Sequence, residues 1–333
     1  MMADGVPGTA ENNVPAVRAP AGDVPAGWGV KSGMPAVRAA AESDMPAVRA
    51  VAKRFGLLKG WPAAPDFLDA ELLFGTLLLA PAADGGAHGF GGTLRRGSVT
   101  HLGDLFVLPE RQSSGVGRAL LAELLAGDGP KVTFASSDPR AMGLYLRHGL
   151  RAWCLLLYLH GPAAGLPAAL PAVRPIALST ARPGEHSAAP VVASPGARAW
   201  EARPEDIADL DARAAGGARP DTLAWYARTP GVTPYTTGRG YAFARLIGSE
   251  ILIGPAGGDT PQDCADAVLA ALAAASEATG AATARIALPG VHPLVLPLMQ
   301  SGWRIGDHDT FMADDHALSL IHPDRYAPHP DLG

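Results

Sequence analysis

One stretch of the chain, Leu105–Leu121, constrains the fold more than any other. It reads as an apolar strand that ends at Pro109, a short polar loop, and an amphipathic helix opened by Gly115 and Gly117. Glycines let the backbone approach a ligand closely, and the first amides of a helix have no partner inside it. Because these amides lie at the positive end of the helix dipole, the stretch predicts an anion-binding loop between a strand and a helix.

Three better-known loop motifs do not fit the sequence. A dinucleotide-binding fingerprint needs a third glycine where Leu120 stands, and it lies near the start of a βαβ unit. The 333 residues contain neither Gly-x-x-x-x-Gly-Lys-Ser/Thr nor Gly-x-Ser-x-Gly. The sequence therefore argues against a Rossmann site, a Walker-type nucleotide site and a serine hydrolase of the α/β type.

Strand and helix patterns alternate along the chain and predict a mixed α/β (α+β) fold. The first half predicts strands at 36–40, 72–80, 89–96, 99–108, 131–136 and 151–160, and helices at 45–58, 115–126 and 139–148. It also predicts a second short helix after a loop with Trp61, Pro62 and Pro65. The second half predicts helices at 204–215, 261–279 and 293–301, and strands at 241–247, 250–253, 283–288 and 304–313. Since the two halves have a similar order, we expect two domains in tandem, each a mostly antiparallel sheet flanked by helices.

Composition divides the chain further. We predict a flexible extension with a Pro-Ala-Val-Arg-Ala repeat at 1–33, a first domain at 34–160, a Pro/Ala-rich linker at 161–197, a second domain at 198–320 and a tail at 321–333. The His and Asp residues between 307 and 331 fit no metal-ligand spacing. They predict a solvated polar end, and the sequence predicts no metal site.

Net charge and hydropathy disfavour several classes of protein. The net charge is −5, with +1 over residues 1–160 and −6 over residues 161–333, which does not suit a nucleic-acid-binding surface. No apolar stretch is long enough to span a bilayer, and the first residues show no signal-peptide pattern. The two cysteines, Cys154 and Cys264, form no paired motif. We therefore expect a cytoplasmic protein without a membrane or nucleic-acid partner, and the oligomeric state stays open.

Two motifs in the first half resemble those of the GNAT superfamily, the acyl-CoA-dependent N-acyltransferases. Residues Gln112–Gly117 read Gln-x-x-Gly-x-Gly, which matches the pyrophosphate loop of that family. Further along, Ala141, Tyr145 and Gly149 match in register the family pattern Asn-x-x-Ala-x-x-x-Tyr-x-x-x-Gly-Phe. Asp138 stands in place of the asparagine and Leu150 in place of the phenylalanine. The resemblance covers the first predicted domain and is specific because both motifs occur in the expected order.

The resemblance implies transfer of an acetyl group from acetyl-CoA directly to an amine. An alkylammonium has a pKa of about 10.4, so it must lose a proton before it attacks. The resemblance makes Tyr145 the acid that protonates the departing thiolate. His101 and Asp104, on the preceding strand, are the candidates for the base, with a water relay as a third alternative. The residues that it places around the cofactor are Phe106, Val107, Gln112, Ser113, Ser114, Gly115, Val116, Gly117, Arg118 and Asp138.

The second half departs from the family pattern. Its loop after Pro255 lacks the glycine pair and brings Asp259 and Asp263 near a helix start. Carboxylates there suit the helix dipole but repel a pyrophosphate. Leu298 falls where Tyr145 stands in the first half. We predict a degenerate GNAT-like domain that either has a structural role or walls the acceptor site of the first.

The leading hypothesis is therefore an N-acetyltransferase with a small-molecule amine as acceptor. One alternative is a non-catalytic acyl-CoA-binding or regulatory protein, against which the intact loop and Tyr145 argue. Another is a GNAT-fold aminoacyl or peptidyl transferase that uses charged tRNA. The negative net charge and the scarcity of lysine argue against a tRNA-binding surface.

Overall fold

The computed structural model of the protein describes residues 35–164 and 197–333, which belong to one compact unit. The predicted extension at 1–33 lies outside the described residues, as does most of the predicted linker at 161–197. Gly161 and Pro162, at the start of that linker, belong to a strand.

The first half alternates strands and helices. Its strands are β1 (Arg38–Ala39), β2 (Gly75–Pro81), β3 (Ala87–Arg96), β4 (Val99–Val107), β5 (Lys131–Ala135) and β6 (Arg151–Pro162). Its helices are α1 (Met45–Arg54), α2 (Phe67–Phe74), α3 (Val116–Leu124) and α4 (Pro139–Arg147). The apolar periodicity explains them: in α1 the buried positions Met45, Val48 and Val51 recur every three residues and lie on one face.

The second half has a similar order. Its strands are β7 (Trp200–Glu201), β8 (Val232–Thr236), β9 (Gly240–Ile247), β10 (Glu250–Gly258), β11 (Thr283–Pro289), β12 (Arg304–Ala313) and β13 (Tyr326–Ala327). Its helices are α5 (Pro204–Ala215), α6 (Pro220–Ala227), α7 (Pro261–Thr279), α8 (Val295–Gln300) and α9 (Asp315–Leu320). No described helix combines the length and the apolar composition that a membrane crossing requires.

Side-chain caps account for two differences from the predicted elements. The strand predicted at 72–80 begins only at Gly75, because α2 continues to Phe74. That helix is started by Asp66, whose Oδ1 accepts the Leu68 N–H at 3.1 Å. The sequence patterns also missed α9, whose first turn is capped in the same way by an aspartate.

The described strands form one continuous, mostly antiparallel sheet, which confirms the predicted mixed α/β class. Its order is β1-β2-β3-β4-β5-β12-β6-β11-β10-β9-β8-β7, with β13 beside β10. The two halves exchange strands at the centre: β12 lies between β5 and β6, and β6 lies between β12 and β11. The sheet therefore runs through both halves without an internal edge.

Each half also contains one parallel strand pair that separates partway along. In the first half, β4 pairs with β5 only from Thr100 to Leu102, and the rest of β4 leaves its partner. In the second half, β10 pairs with β11 from Glu250 to Ile253. Where β4 and β5 separate, an opening forms at their carboxyl ends.

A shared core on one face of the sheet joins the halves. Helices α1 and α2 of the first half and helices α5 and α6 of the second contribute to the same apolar cluster. A buried ion pair belongs to the same region: Arg219 Nη2 lies 2.9 Å from Asp211 Oδ1, and it also donates to the Tyr326 hydroxyl at 3.0 Å. Loss of one partner of a buried ion pair costs about 3–5 kcal/mol, so this network holds α5 and α6 in a fixed position.

Candidate active site

A groove of about 380 Å³, here called the loop groove, lies between the loop after β4 and helix α4. Seven of the predicted cofactor residues line it: Val107, Gln112, Ser113, Gly115, Gly117, Arg118 and Asp138. Two others do not. Val116 packs its side chain into the core, and the Ser114 hydroxyl donates to the Arg111 carbonyl at 2.5 Å. Phe106 lines the cavity next to the groove instead.

The loop geometry leaves the start of α3 open to a ligand. Gly115, the residue before the helix, has a φ of 92°, which favours glycine, and no side chain caps the helix N-terminus. A Cβ on Gly117 would meet its nearest neighbours, the side chains of Val107 and Leu144, at 3.5 and 3.9 Å. The first-turn amides of α3 therefore face space in which an anion fits.

The loop groove carries positive charge. Four arginines line it: Arg111, Arg118, Arg140 and Arg147. Its one acidic lining residue, Asp138, caps α4 and lies 2.7 Å from the Arg140 guanidinium, which holds the pKa of that carboxyl below its usual range. Arginines and helix amides together are the donors that proteins use for phosphate groups.

Gln112 ties the loop to the elements on both sides. Its Nε2 donates to the carbonyl of Val107 at 3.2 Å, at the end of β4. Its Oε1 accepts from Arg140 Nη1 at 2.8 Å, on α4. This bridging role explains why the loop needs an amide side chain here, since an amide donates and accepts at once.

The loop groove adjoins a larger cavity of about 750 Å³, here called the acidic cavity. Both halves line it: Phe55, Phe106, Tyr145 and Tyr158 come from the first, and Leu252 and Arg285 from the second. It takes its name from five lining aspartates: Asp104, Asp138, Asp307, Asp309 and Asp331. Five residues line both spaces, so a ligand in the groove reaches the cavity: Leu105, Val107, Gln112, Asp138 and Ala141.

Tyr145 projects from α4 into the acidic cavity. Its side chain is 6% exposed, and its hydroxyl forms no hydrogen bond with a described residue. Burial raises the pKa of Tyr145, and the carboxyls of Asp104 and Asp309 raise it further. The hydroxyl therefore stays protonated at neutral pH and has a proton available for a ligand atom.

Asp104 lines the cavity beside the buried carboxyl of Glu71. Neither carboxyl oxygen of Glu71 has a hydrogen-bond partner in the described structure. Burial raises the pKa of Asp104 to about 7, with a contribution from Asp331, whereas the contact with the Glu71 carboxyl lowers it. Burial and Asp104 raise the pKa of Glu71 well above its usual value, so the protonated form of Glu71 is favoured.

A bulge in β4 gives Asp104 its orientation. The register against β3 shifts between Thr93, which pairs with Leu102, and Gly92, which pairs with Asp104. Gly103 is the extra residue. It places Asp104 on the opposite face of the sheet from the one that regular strand alternation would give it. A Cβ on Gly103 would lie 2.7 Å from Glu71 Oε1, so the glycine also makes room for that carboxyl.

His101, the other candidate for the base, lies outside both spaces. Its side chain is 1% exposed, and neither ring nitrogen has a hydrogen-bond partner among the described residues. The ring packs against Phe134 at 4.8 Å between centroids. Burial, followed by the charges of Arg96 and Arg219, lowers the pKa of His101 well below its usual value, so the ring is neutral.

Several residues of this site escaped the sequence patterns. The expectation of a solvated polar end is wrong for Asp309, His329 and Asp331. His329 is fully buried, the Tyr158 hydroxyl donates to Asp309 Oδ2 at 2.6 Å, and Trp61 Nε1 donates to Asp331 Oδ2 at 2.8 Å. No motif marks these residues, because only the strand exchange and the path of the last described residues bring them to the first half.

The corresponding opening in the second half is closed. Where β10 separates from β11, β13 pairs with β10 through Ala256↔Ala327 and Gly257↔Tyr326. The start of α7 is also occupied, because the Thr260 hydroxyl accepts the Asp263 N–H at 3.1 Å. No group of three or more His, Cys, Asp or Glu side chains in the described part of the chain is arranged to hold a metal ion.

Comparison with known proteins agrees with this geometry. The family model of the acetyltransferase (GNAT) domain matches residues 67–153, which include the loop groove and Tyr145. A search of curated protein sequences gave no significant match.

Solved structures share the fold at low sequence identity. A proposed acetyltransferase from Pyrococcus horikoshii has a TM-score of 0.61 at 17% identity and aligns over 91% of this chain and 96% of its own. A GCN5-related N-acetyltransferase from Kribbella flavida has a TM-score of 0.52 at 16% identity, over 84% of this chain and 70% of its own. One from Anabaena variabilis has a TM-score of 0.51 at 12% identity, over 84% and 72%. Residues 67–153 therefore form a GNAT acetyltransferase domain, and the described chain shares the fold of GCN5-related N-acetyltransferases.

Proposed function

We propose that the protein is an N-acetyltransferase that moves the acetyl group of acetyl-CoA to the amine of a small molecule in a ternary complex. One observation carries the proposal: the arginine-lined loop groove leads directly to the acidic cavity, where the hydroxyl of Tyr145 has no hydrogen-bond partner among the described residues. Bound acetyl-CoA supplies an activated acyl group there. The groove holds the phosphates, and the cavity accepts the amine.

The residues of the groove fit this co-substrate. The first-turn amides of α3 and the guanidinium of Arg118 suit the pyrophosphate, and Ser113 adds a hydroxyl donor. The part of β4 that has left β5, at Phe106 and Val107, presents a free strand edge to the pantetheine arm, although the Val107 carbonyl already accepts from Gln112. These placements support an extended cofactor that runs from the loop towards Tyr145.

The acid and base roles follow from burial and charge. Tyr145 stays protonated at neutral pH and donates its proton to the leaving sulfur. Asp104 lines the acidic cavity, has a pKa of about 7 and suits a base that receives the amine proton, directly or through one water. His101 suits this role less well, because it lies outside the cavity with a neutral ring.

The two alternative functions have less support. A purely regulatory acyl-CoA-binding protein has no need for a buried tyrosine with a free hydroxyl beside a carboxylate pair. A tRNA-dependent transferase needs a basic surface for the tRNA, whereas the acceptor side of this site has five aspartates. A thiol-release assay with acetyl-CoA and a panel of small amines tests the proposal, and acylation of none of them would contradict it.

The pH dependence of turnover distinguishes the two base candidates. If Asp104 is the base, kcat/KM rises as pH increases through about 7, because the carboxyl must lose its proton to act. We expect Asp104→Asn to lower kcat about 100-fold and to remove this limb of the profile. The increase of kcat/KM that comes from deprotonation of the amine itself lies near the pKa of the amine, about 10.4. It should remain in the parent protein and in Asp104→Asn.

His101→Asn is the matched variant. It changes a buried polar residue on the same strand, and kcat/KM of this variant should still rise through about pH 7. A limb that moves in His101→Asn and persists in Asp104→Asn would assign the base to His101 instead.

The closed opening of the second half predicts a binding stoichiometry. We expect calorimetry to give one acetyl-CoA per chain, because β13 occupies the place in the second half where β4 and β5 leave space in the first. Two equivalent sites per chain would show that β13 can be displaced from β10.

A further inference from the structure

The acidic cavity has more negative charge than its own residues neutralise. Among its five lining aspartates, Asp138 is paired with Arg140. The one lining arginine, Arg285, lies 3.4 Å from Glu250, which is outside the cavity lining. Asp307 and Asp309 form no ion pair with a described residue, and the hydroxyl of Tyr158 is a neutral partner for Asp309. Charges of one sign that are left uncompensated in a cavity favour a ligand of the opposite sign.

The carboxylates fall into two groups within the cavity. Asp104 lies on β4 at the buried end, near Tyr145. Asp307 and Asp309 lie on β12, where Asp307 is exposed and Asp309 is partly buried, so they form a rim. Strand β5 lies between β4 and β12, and β4 has left β5 at Asp104, so the strands that carry the two groups are at least about 10 Å apart.

A further observation points to a ligand between the two groups. The Tyr145 side chain is only 6% exposed, and its hydroxyl reaches the cavity without a hydrogen-bond partner in the described structure. A hydroxyl at the end of a mostly buried side chain that opens onto a cavity and has no protein partner is available to a ligand atom. Burial also raises the pKa of Asp309 and of Asp331, although the Trp61 hydrogen bond and the charges of Arg285 and Arg245 oppose the shift at Asp331.

We propose that the acceptor is a compound with at least two amino groups, one held as an ammonium by Asp307 and Asp309 while the other reacts between Asp104 and Tyr145. This proposal rests on the proposed transferase function and names its substrate class, a diamine or polyamine-like compound. The second half of the chain thus supplies the residues that select the acceptor, and the first half supplies the chemistry.

The reaction balances with the groups described. The free amine nitrogen forms a bond to the acyl carbon, and the bond from that carbon to the CoA sulfur breaks with its electron pair on sulfur. The nitrogen loses a proton to Asp104, and the sulfur receives the proton of Tyr145. Proton exchange with solvent restores both side chains, and the second ammonium at the rim stays unchanged throughout.

Matched acceptors of one chain length test the proposal. We would compare 1,6-diaminohexane with n-hexylamine and 6-amino-1-hexanol in the thiol-release assay on the full chain. A charge-assisted hydrogen bond at a partly buried carboxylate predicts a kcat/KM for the diamine about 10- to 100-fold higher than for either monoamine. Asp309→Asn should reduce this ratio towards unity. Asp128→Asn, an exposed change in the loop before β5, should preserve it.

Calorimetry supplies a readout independent of turnover. With CoA present, 1,6-diaminohexane should bind at least about 10-fold more tightly than n-hexylamine, and Asp309→Asn should remove the difference. Equal kcat/KM values for diamine and monoamine would overturn the inference and leave the transferase function intact. Acylation of no amine, with acetyl-CoA still bound, would overturn the transferase function and the inference with it.

Discussion

Replacing Tyr145 with phenylalanine is expected to lower kcat about 100-fold while acetyl-CoA binds as tightly as before. A positioned general acid contributes about 10²–10⁴-fold to turnover, and the substitution removes the only atom of the side chain that carries a proton for the sulfur. The aromatic ring remains, and the hydroxyl has no described hydrogen-bond partner, so the packing of α4 is preserved. Steady-state kinetics and calorimetric titration with CoA separate the two quantities.

Tyr235→Phe is the appropriate control. This tyrosine is equally buried, at 6% exposure, but it lies on β8 near the far edge of the sheet. It should change neither kcat nor CoA binding. If Tyr145→Phe turned over at the rate of the control, the proton for the thiolate would have to come from another group or from water.

Gly117→Asp should weaken CoA binding by at least about 100-fold. The Cβ fits between the side chains of Val107 and Leu144, so the protein tolerates the residue. The carboxylate would then occupy the space of the pyrophosphate at the start of α3 and repel it at short range. Calorimetry measures the loss, and an unchanged Tm shows that the fold survives.

A variant at the other end of the same helix controls for charge. Ala126→Asp adds the same carboxylate just beyond the end of α3, at an exposed position roughly 13 Å away along the helix. It should bind CoA like the parent protein. Equal weakening in both variants would mean that net charge, and not occupation of the loop groove, governs binding.

The strand–loop–helix unit that forms the loop groove could be predicted from the sequence, because its determinants are local. Gly115, Gly117 and Gln112 lie within six residues of one another, and the geometry of a strand–loop–helix unit follows from their spacing. Tyr145 was also predictable, since its register on α4 is fixed by a second local motif. Predicting the groove and the position of the tyrosine therefore requires no knowledge of tertiary contacts.

The acceptor side could not be predicted in the same way. Asp309 reaches the cavity because β12 inserts between β5 and β6, and no periodicity within β12 itself encodes that insertion. Asp104 and His101 would lie on opposite faces of a regular strand, and the bulge at Gly103 changes this relation. Glu71 was not identified, because it falls between the predicted short helix and the strand predicted at 72–80, whereas it belongs to α2.

The exchange of strands at the centre of the sheet also governs how the protein folds. The pairing of β5 with β12 joins residues about 175 positions apart, so a large part of the chain must be ordered before that contact forms. Neither half can complete its hydrogen-bond ladder alone, since β6 of the first half pairs with β11 and β12 of the second. Folding and unfolding should therefore be a single cooperative event for both halves, and the acceptor wall forms only when the whole sheet does.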